Sequence, residues 1–289
     1  MLKISEADLV INADGSVYHL NILPEDVADT IITVGDPDRI SEVTKHFDRI
    51  ELKKGKREFL THTGYIGNKR ITVVSTGIGT DNIDIVLNEL DALVNIDFNT
   101  RLINPVLKSL NIIRIGTSGT VQGDIETGTI IASAYAIGLD TLMHYYKPKA
   151  DIEKPAILDN ILTHFAGIPG VSPYVAAANK GLIDTIGNGL EHGITVTAPG
   201  FYAPQGRQVR AINAVPNFIA RLSSFRYNDQ RITNLEMETA GIYALSEILG
   251  HKALSINAIL ANRINNNFSK EPNIVVEKAI KLVLGRITA

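Results

Sequence analysis

Arginine set among glycines is the first chemistry this sequence offers. Arg39 closes Gly35-Asp36-Pro37-Asp38-Arg39, and Arg114 opens Arg114-Ile115-Gly116-Thr117-Ser118-Gly119-Thr120. A guanidinium presents five donors in a planar fork and keeps its charge, while glycines let the backbone turn N–H groups toward a ligand, so both segments suit an oxyanion. Thr76-Gly77-Ile78-Gly79-Thr80 is a third segment of this kind. Three later clusters add recognition chemistry. Gln205-Gly206-Arg207 joins an amide, donor and acceptor at once, to a donor-only fork. Glu236-Met237-Glu238 flanks a thioether with two carboxylates, and Asn262-Arg263 follows an apolar run.

Each cluster also has a plainer reading. Glycines after strands are mostly turn formers. Arg39 could be solvated, with the GDPDR segment a turn into a helix, and Asn262-Arg263 could be a strand exit. Arg114 lies within Ile112-Ile113-Arg114-Ile115, so it either points inward onto an anionic partner or faces water from an edge strand. Glu236 and Glu238 at a helix start could simply complement its dipole.

Several chemistries are excluded or disfavoured. The 289 residues contain no cysteine, which removes disulfides, thiolate metal sites and a thiol nucleophile. The seven histidines show no pair at metal-ligand spacing, so no metal is expected. No G-x-x-x-x-G-K-[ST] or G-x-G-x-x-G is completed, which disfavours a nucleoside triphosphate or dinucleotide. A net charge of −3 gives no attraction to polyanions, so neither nucleic acid nor an anionic membrane is expected as a partner. From Met1-Leu2-Lys3 onward there is no signal-like segment and no apolar run of ~18 residues. A cytoplasmic protein, neither exported nor inserted, is expected.

The elements that must position these residues alternate along the chain. Short β-branched runs at residues 31–34, 71–75, 111–115, 129–132, 194–197 and 254–261 read as buried strands. Helical spacing links Ile83, Val86, Leu87, Leu90 and Val94, with Thr80 or Asp81 available as N-cap. Met237, Ala240, Gly241, Ala244 and Ile248 repeat it and stop at Gly250, a C′ glycine, and Pro272 opens a last helix. No repeat or linker interrupts the pattern, so residues 1–289 read as one α/β domain, a largely buried mixed sheet flanked by helices. In such sheets ligands gather beyond strand ends, where these loops lie.

Taken in order, Tyr18-His19-Leu20, GDPDR at 35–39, Arg57-Glu58-Phe59, Ser75-Thr76-Gly77-Ile78-Gly79, Arg114 to Gly119, Phe201-Tyr202-Ala203-Pro204-Gln205-Gly206-Arg207, Glu236-Met237-Glu238 and Asn262-Arg263 resemble the nucleoside phosphorylase superfamily, in the order of its uridine phosphorylase branch. The resemblance covers nearly the whole chain. It implies the nucleoside phosphorylase fold and a pentosyltransferase that cleaves uridine with inorganic phosphate to uracil and ribose 1-phosphate. Gly35, Arg39, Arg114 and Thr117 would hold phosphate, with Arg57 reaching in from a neighbouring subunit. Met237 and Glu238 would hold the ribose, and His19 its 5′-hydroxyl across the subunit boundary. Gln205 and Arg207 would read the uracil beside Phe201. Ser118, Gly119, Glu236 and Arg263 complete the implied substrate contacts.

The same resemblance implies a homo-oligomer with shared sites, a dimer or a trimer of dimers, and no cofactor beyond the phosphate co-substrate. Some members hold potassium between subunits. Here Glu58 is kept at that place but Asn82 replaces a serine, and potassium is left unassigned. Asn262 stands where purine phosphorylases carry an aspartic acid. Extra residues from Asn95 to Thr100 and Ala203-Pro204 beside Gln205 depart from the bacterial pattern. A purine phosphorylase, a nucleoside hydrolase and a non-catalytic nucleoside-binding protein are the competing readings.

Overall fold

The computed structural model describes residues 3–147, 156–168 and 170–289; Met1 and Leu2 of the N-terminal segment lie outside the described residues. In chain order the elements are β1 (Thr30–Val34), α1 (Asp38–Thr44), β2 (Arg49–Lys56), β3 (Phe59–Ile66), β4 (Lys69–Ser75), α2 (Thr80–Asn95), β5 (Ile96–Asp97), β6 (Leu102–Ile103), β7 (Asn111–Thr120) and β8 (Ile130–Gly138). Then come α3 (Leu158–Phe165), β9 (Tyr174–Ala177), α4 (Lys180–Thr185), β10 (Glu191–Thr197), α5 (Phe218–Ser224), β11 (Arg226–Tyr227), β12 (Gln230–Glu236), α6 (Thr239–Leu249), β13 (Lys252–Asn262), β14 (Asn267–Phe268) and α7 (Pro272–Thr288). All six strands read from β-branched runs are present, several longer than the runs themselves.

Twelve strands form one mixed sheet in the order β11-β12-β10-β8-β13-β7-β1-β4-β3-β2, with β14 on β13 and β9 on β8. Its parallel centre, β4-β1-β7-β13, is apolar on both faces because helices cover both. On one face α2 and α6 bury Ile83, Leu87, Leu90, Ile242 and Leu245; on the other α7 buries Ala279, Ile280 and Val283.

Strand β7 serves two neighbours in turn. Its first half pairs with β1, through Asn111 to Arg114, while Gly119 and Thr120 at its end pair with Leu235 and Asn234 of β12. The second pairing closes β7-β12-β10-β8-β13 into a five-stranded ring, so the sheet is part open and part barrel. Register shifts in β10 and near the end of β13 supply the local bending such closure needs.

Some local expectations are corrected. Helix α2 is capped by Gly79, at φ 97°, and neither Thr80 nor Asp81 caps it with a side chain. The Glu236-Met237-Glu238 segment does not start the helix: Glu236 ends β12 and α6 begins at Thr239. Gly250 does end α6 in the left-handed region, and Pro272 opens α7. The edge hairpin β2-β3 and strand β12 escaped the sequence reading: β2 is charged and buries no residue outright, β3 is rich in threonine and glycine, and β12, though buried from Ile232 to Glu236, interrupts its apolar residues with Thr233 and Asn234.

Tyr243 bolts α6 to the ring. Its hydroxyl donates to the Ser133 carbonyl (2.7 Å) and accepts the Ser255 N–H (2.8 Å), and its ring is fully buried. Tyr243→Phe leaves two buried backbone groups without that partner and is expected to cost about 1–3 kcal/mol in urea unfolding.

Candidate active site

Loops at the ends of β1, β4, β7, β10 and β12 converge on one cleft of about 700 Å³. Of the residues singled out in the sequence, Gly35, Arg39, Arg114, Thr117, Ser118, Gly119, Phe201, Gln205, Arg207, Glu236, Met237 and Glu238 line it. The GDPDR segment is both turn and wall: Pro37 leads into α1, and a Cβ at Gly35 would stand 3.4 Å from the Gly77 carbonyl, so two glycine loops touch there.

Arg114 points inward from a central strand, which removes the edge-strand alternative. Its Nη2 lies 2.6 Å from Glu238 Oε2 and 3.0 Å from Glu236 Oε2, and its Nη1 donates to Asn257 Oδ1 at 3.1 Å. The side chain folds back across its own strand. A Cβ at Gly116, two residues on and facing the same way, would fall 1.6 Å from Nη1, so glycine is required there.

The two carboxylates divide the work. Glu236 accepts from the backbone N–H of Glu238 and Thr239 and from the Thr197 hydroxyl, so it caps α6 while pairing with Arg114. The capping reading holds for Glu236, whose oxygens take these donors while the side chain also lines the cleft. Among the described residues Glu238 accepts only from Arg114 and the Gly79 N–H (2.9 Å), leaving lone pairs for the cleft that it lines with Met237. Burial pushes its pKa up from the ordinary carboxylate value, against the pull of Arg114.

Arg39, half-buried in the cleft wall, makes no side-chain hydrogen bond or ion pair among the described residues. Burial and the neighbouring Arg114 charge pull its pKa below the usual arginine range. The Thr117 hydroxyl, also on the cleft wall, is likewise unpartnered among the described residues. A second cationic pair lies at the β10 loop. The Arg207 guanidinium sits 3.8 Å over the Phe201 ring and donates to the Phe201 carbonyl (2.7 Å) and to Gln205 Oε1 (2.5 Å). Burial and the Arg263 charge bring Arg207 down to about 10. Among the described residues the buried Gln205 amide leaves its Nε2 and one Oε1 lone pair without a partner.

Other expected residues stand outside this chain's cleft. Arg263 does not line it; it packs on Gly119 and donates to the Gln205 carbonyl at 3.0 Å, bracing the loop. Arg57 is exposed at the β2-β3 turn, and His19 is tied to Glu89 through Nδ1 at 2.7 Å. Asn262 is buried at the end of β13. Its amide donates to the carbonyls of Gln122 and Ile125 and accepts from the N–H of Ile264 and Asn265, so it is spent on shaping a loop. Glu58 and Asn82 do line the cleft, both against Gly77.

Gly79, Gly116 and Asn257 were missed as supports for Glu238 and Arg114. For Asn257 a signal existed: in a run read as a buried strand, Ser255 and Asn257 alternate with Ile256 and Ala258, placing two polar groups on one face.

Because the folded protein holds the Glu238 proton more tightly than the unfolded chain does, the stability from this group is present below its unfolded pKa of 4.5 and is lost as pH rises through the folded value. Arg114→Leu leaves two buried carboxylates without their cation. It is expected to cost about 3–5 kcal/mol at pH 8. The deficit relative to wild type should shrink as pH falls toward 5, measured by urea unfolding at both pH values.

A sequence model of the phosphorylase superfamily matches residues 29–287. The chain is 30% identical to a uridine phosphorylase of Thermococcus kodakarensis over 285 residues, 97% of this chain and 91% of that protein. It is 28% identical to a uridine phosphorylase of Haemophilus influenzae, over 93% of this chain and 96% of the other. A Trypanosoma brucei nucleoside phosphorylase, whose crystal structure is described as showing uridine phosphorylase activity, superposes with a TM-score of 0.88 at 28% identity, covering 98% of this chain and all of that one. The glycine loops, the mixed sheet and the cleft all fall within the matched span, and the chain belongs to the phosphorylase superfamily.

Proposed function

We propose that this cleft cleaves uridine reversibly with inorganic phosphate, giving uracil and ribose 1-phosphate. The observation that carries this reading is Arg39, which has no side-chain hydrogen bond or ion pair among the described residues, in the same cleft as the Gln205–Arg207 pair, with the Glu238 carboxylate also on its wall. A half-buried guanidinium held beside the Arg114 charge with no ion-paired carboxylate of its own is a costly arrangement that a phosphate relieves. Arg39, Arg114, Thr117 and the Gly35 N–H hold that phosphate; Met237 packs on the sugar face while Glu238 accepts from two ribose hydroxyls.

As the C1′–N1 bond breaks, the ribose becomes oxocarbenium-like and uracil leaves as an anion spread over O2, N1 and O4. Gln205 reads O2 and N3–H, and Arg207 stabilises the charge developing on O4. A donor-only fork there meets the exocyclic amine of cytosine badly. Phosphate attacks from the opposite face, and no covalent enzyme intermediate is needed. A purine reading lacks its acid, since the Asn262 amide is fully engaged. Phosphate is the co-substrate in this reading, and no cofactor takes part.

Arg57 and His19, both away from the cleft of their own chain, complete a neighbour's site in this reading. The working form is then a homo-oligomer, a dimer or a trimer of dimers, acting in the cytoplasm.

Incubating the protein with uridine, with and without phosphate, tests the reaction. Phosphate-dependent uracil release is expected; equal release without phosphate makes the protein a hydrolase, and faster turnover of inosine moves it to the purine branch. Arg207→Ala should lower kcat and kcat/KM for uridine by about 10²-fold or more with the melting temperature little changed. Subunits carrying Arg57→Ala mixed with subunits carrying Glu238→Ala should regain activity in mixed oligomers. No regain in demonstrably mixed oligomers counts against shared sites.

A further inference from the structure

The closed ring has a polar layer inside it. Arg114 Nη1 donates to Asn257 Oδ1 (3.1 Å), and Asn257 Nδ2 donates to Ser133 Oγ (2.9 Å). Ser133 Oγ lies 2.6 Å from Thr195 Oγ1, which donates to Asn234 Oδ1 (3.0 Å), and Asn234 Nδ2 donates to Ser118 Oγ (2.9 Å). Each of the five strands contributes: β7 gives Arg114 and Ser118, and β13, β8, β10 and β12 give one residue each. Asn257, Ser133, Thr195 and Asn234 are all fully buried.

The chemistry of the groups sets a direction. Arg114 can only donate, so Asn257 presents oxygen to it and its amino group onward. Thr195 spends its single proton on Asn234, so the proton between Ser133 and Thr195 belongs to Ser133. Every donor therefore points from Arg114 round to Ser118, and bonds aligned this way strengthen one another. Ser118 Oγ already accepts from Asn234, so its own proton is free to be offered to the cleft, which Ser118 lines.

We propose that this belt is a positioning device for the phosphate site, with Asn257 setting the orientation of the Arg114 fork and Asn234 turning the Ser118 hydroxyl outward as a donor. The inference rests on phosphate as the anion held by Arg39 and Arg114. None of the four intermediate residues lines the cleft, so they act only through Arg114 and Ser118.

Thr195→Val breaks the belt at its midpoint and keeps the shape of the side chain, while Ser133 retains Asn257 and Asn234 retains Thr233 as partners. Asn257→Leu removes the group that touches Arg114. Phosphate binding by calorimetry, without nucleoside, is expected to weaken about tenfold for Asn257→Leu and about threefold for Thr195→Val. Thr195→Ser, which restores the hydroxyl, recovers the affinity. In turnover, KM for phosphate rises with the same ranking while KM for uridine moves less than twofold, a split that loss of packing alone does not produce.

Folded Thr195→Val that binds phosphate as wild type does, or that is not rescued by Thr195→Ser, overturns the belt; this variant decides the matter if Asn257→Leu does not fold. A wild-type protein that binds no phosphate overturns the proposed function together with the belt, whereas wild-type binding with unchanged variants overturns the belt alone.

Discussion

The ionic cluster of Arg114 with Glu236 and Glu238 is the interaction on which the rest of the cleft depends. All three side chains are nearly excluded from water, and a charge so placed is tolerated only with close partners and satisfied hydrogen bonds. Each carboxylate is in turn anchored to a different piece of backbone: Glu236 to the first N–H groups of α6, Glu238 to the Gly79 N–H that precedes α2. One guanidinium on β7 thereby ties the ends of β4, β7 and β12 and the starts of two helices into a fixed geometry. Replacing such a cluster with apolar groups of similar volume is often neutral for stability, so its presence here is better explained by what it presents to a ligand than by what it adds to folding.

That view also explains why the cations come in pairs. Arg39 beside Arg114, and Arg207 beside Arg263, both carry charge in places where burial works against it, and the second pair has no carboxylate partner among the described residues. Like charges held together in a half-buried wall raise the affinity of that wall for an anion, at no reorganisation cost when the anion arrives. An attacking phosphate and a departing base anion are both negative, and a cleft that must stabilise both at once needs such donors near each. The stacking of Arg207 on Phe201 holds one of them in place while its remaining donors stay available.

Much of this was legible in the chain, and the limits are physical. The buried strands announced themselves because a strand covered on both faces is nearly all apolar, as in Thr30–Val34. Loops beyond them followed from the glycines, and Arg114 stood out because an arginine within an apolar run needs an explanation. The hairpin β2-β3 was not legible: its outer strand is charged at Arg49, Glu51, Lys53, Lys54 and Lys56 and buries no residue outright. Helix α6 was placed two residues early because Met237 fits its period, and only the Glu236 cap shows that the strand runs up to the carboxylate. Partner choice lay beyond reach as well. Nothing in Asn262-Arg263 says that the amide turns into a loop and the arginine braces the Gln205 carbonyl, because both bonds join segments far apart in sequence.

The ring closure makes the buried polar belt intelligible. A five-stranded ring leaves an interior only wide enough for side chains, and filling it with apolar groups alone would stabilise many registers almost equally. Hydrogen-bonding groups change that. A strand slipped by one residue would point its belt member outward and place an aliphatic neighbour against an unsatisfied partner: Ile194 or Val196 for Thr195, Ile256 or Ala258 for Asn257. Each such slip strands buried donors and acceptors, so the correct register is selected on every strand together. The residue that opens the belt, Arg114, and the one that ends it, Ser118, both face the cleft, which makes the geometry of the site a consequence of the register of the ring rather than of the loops alone.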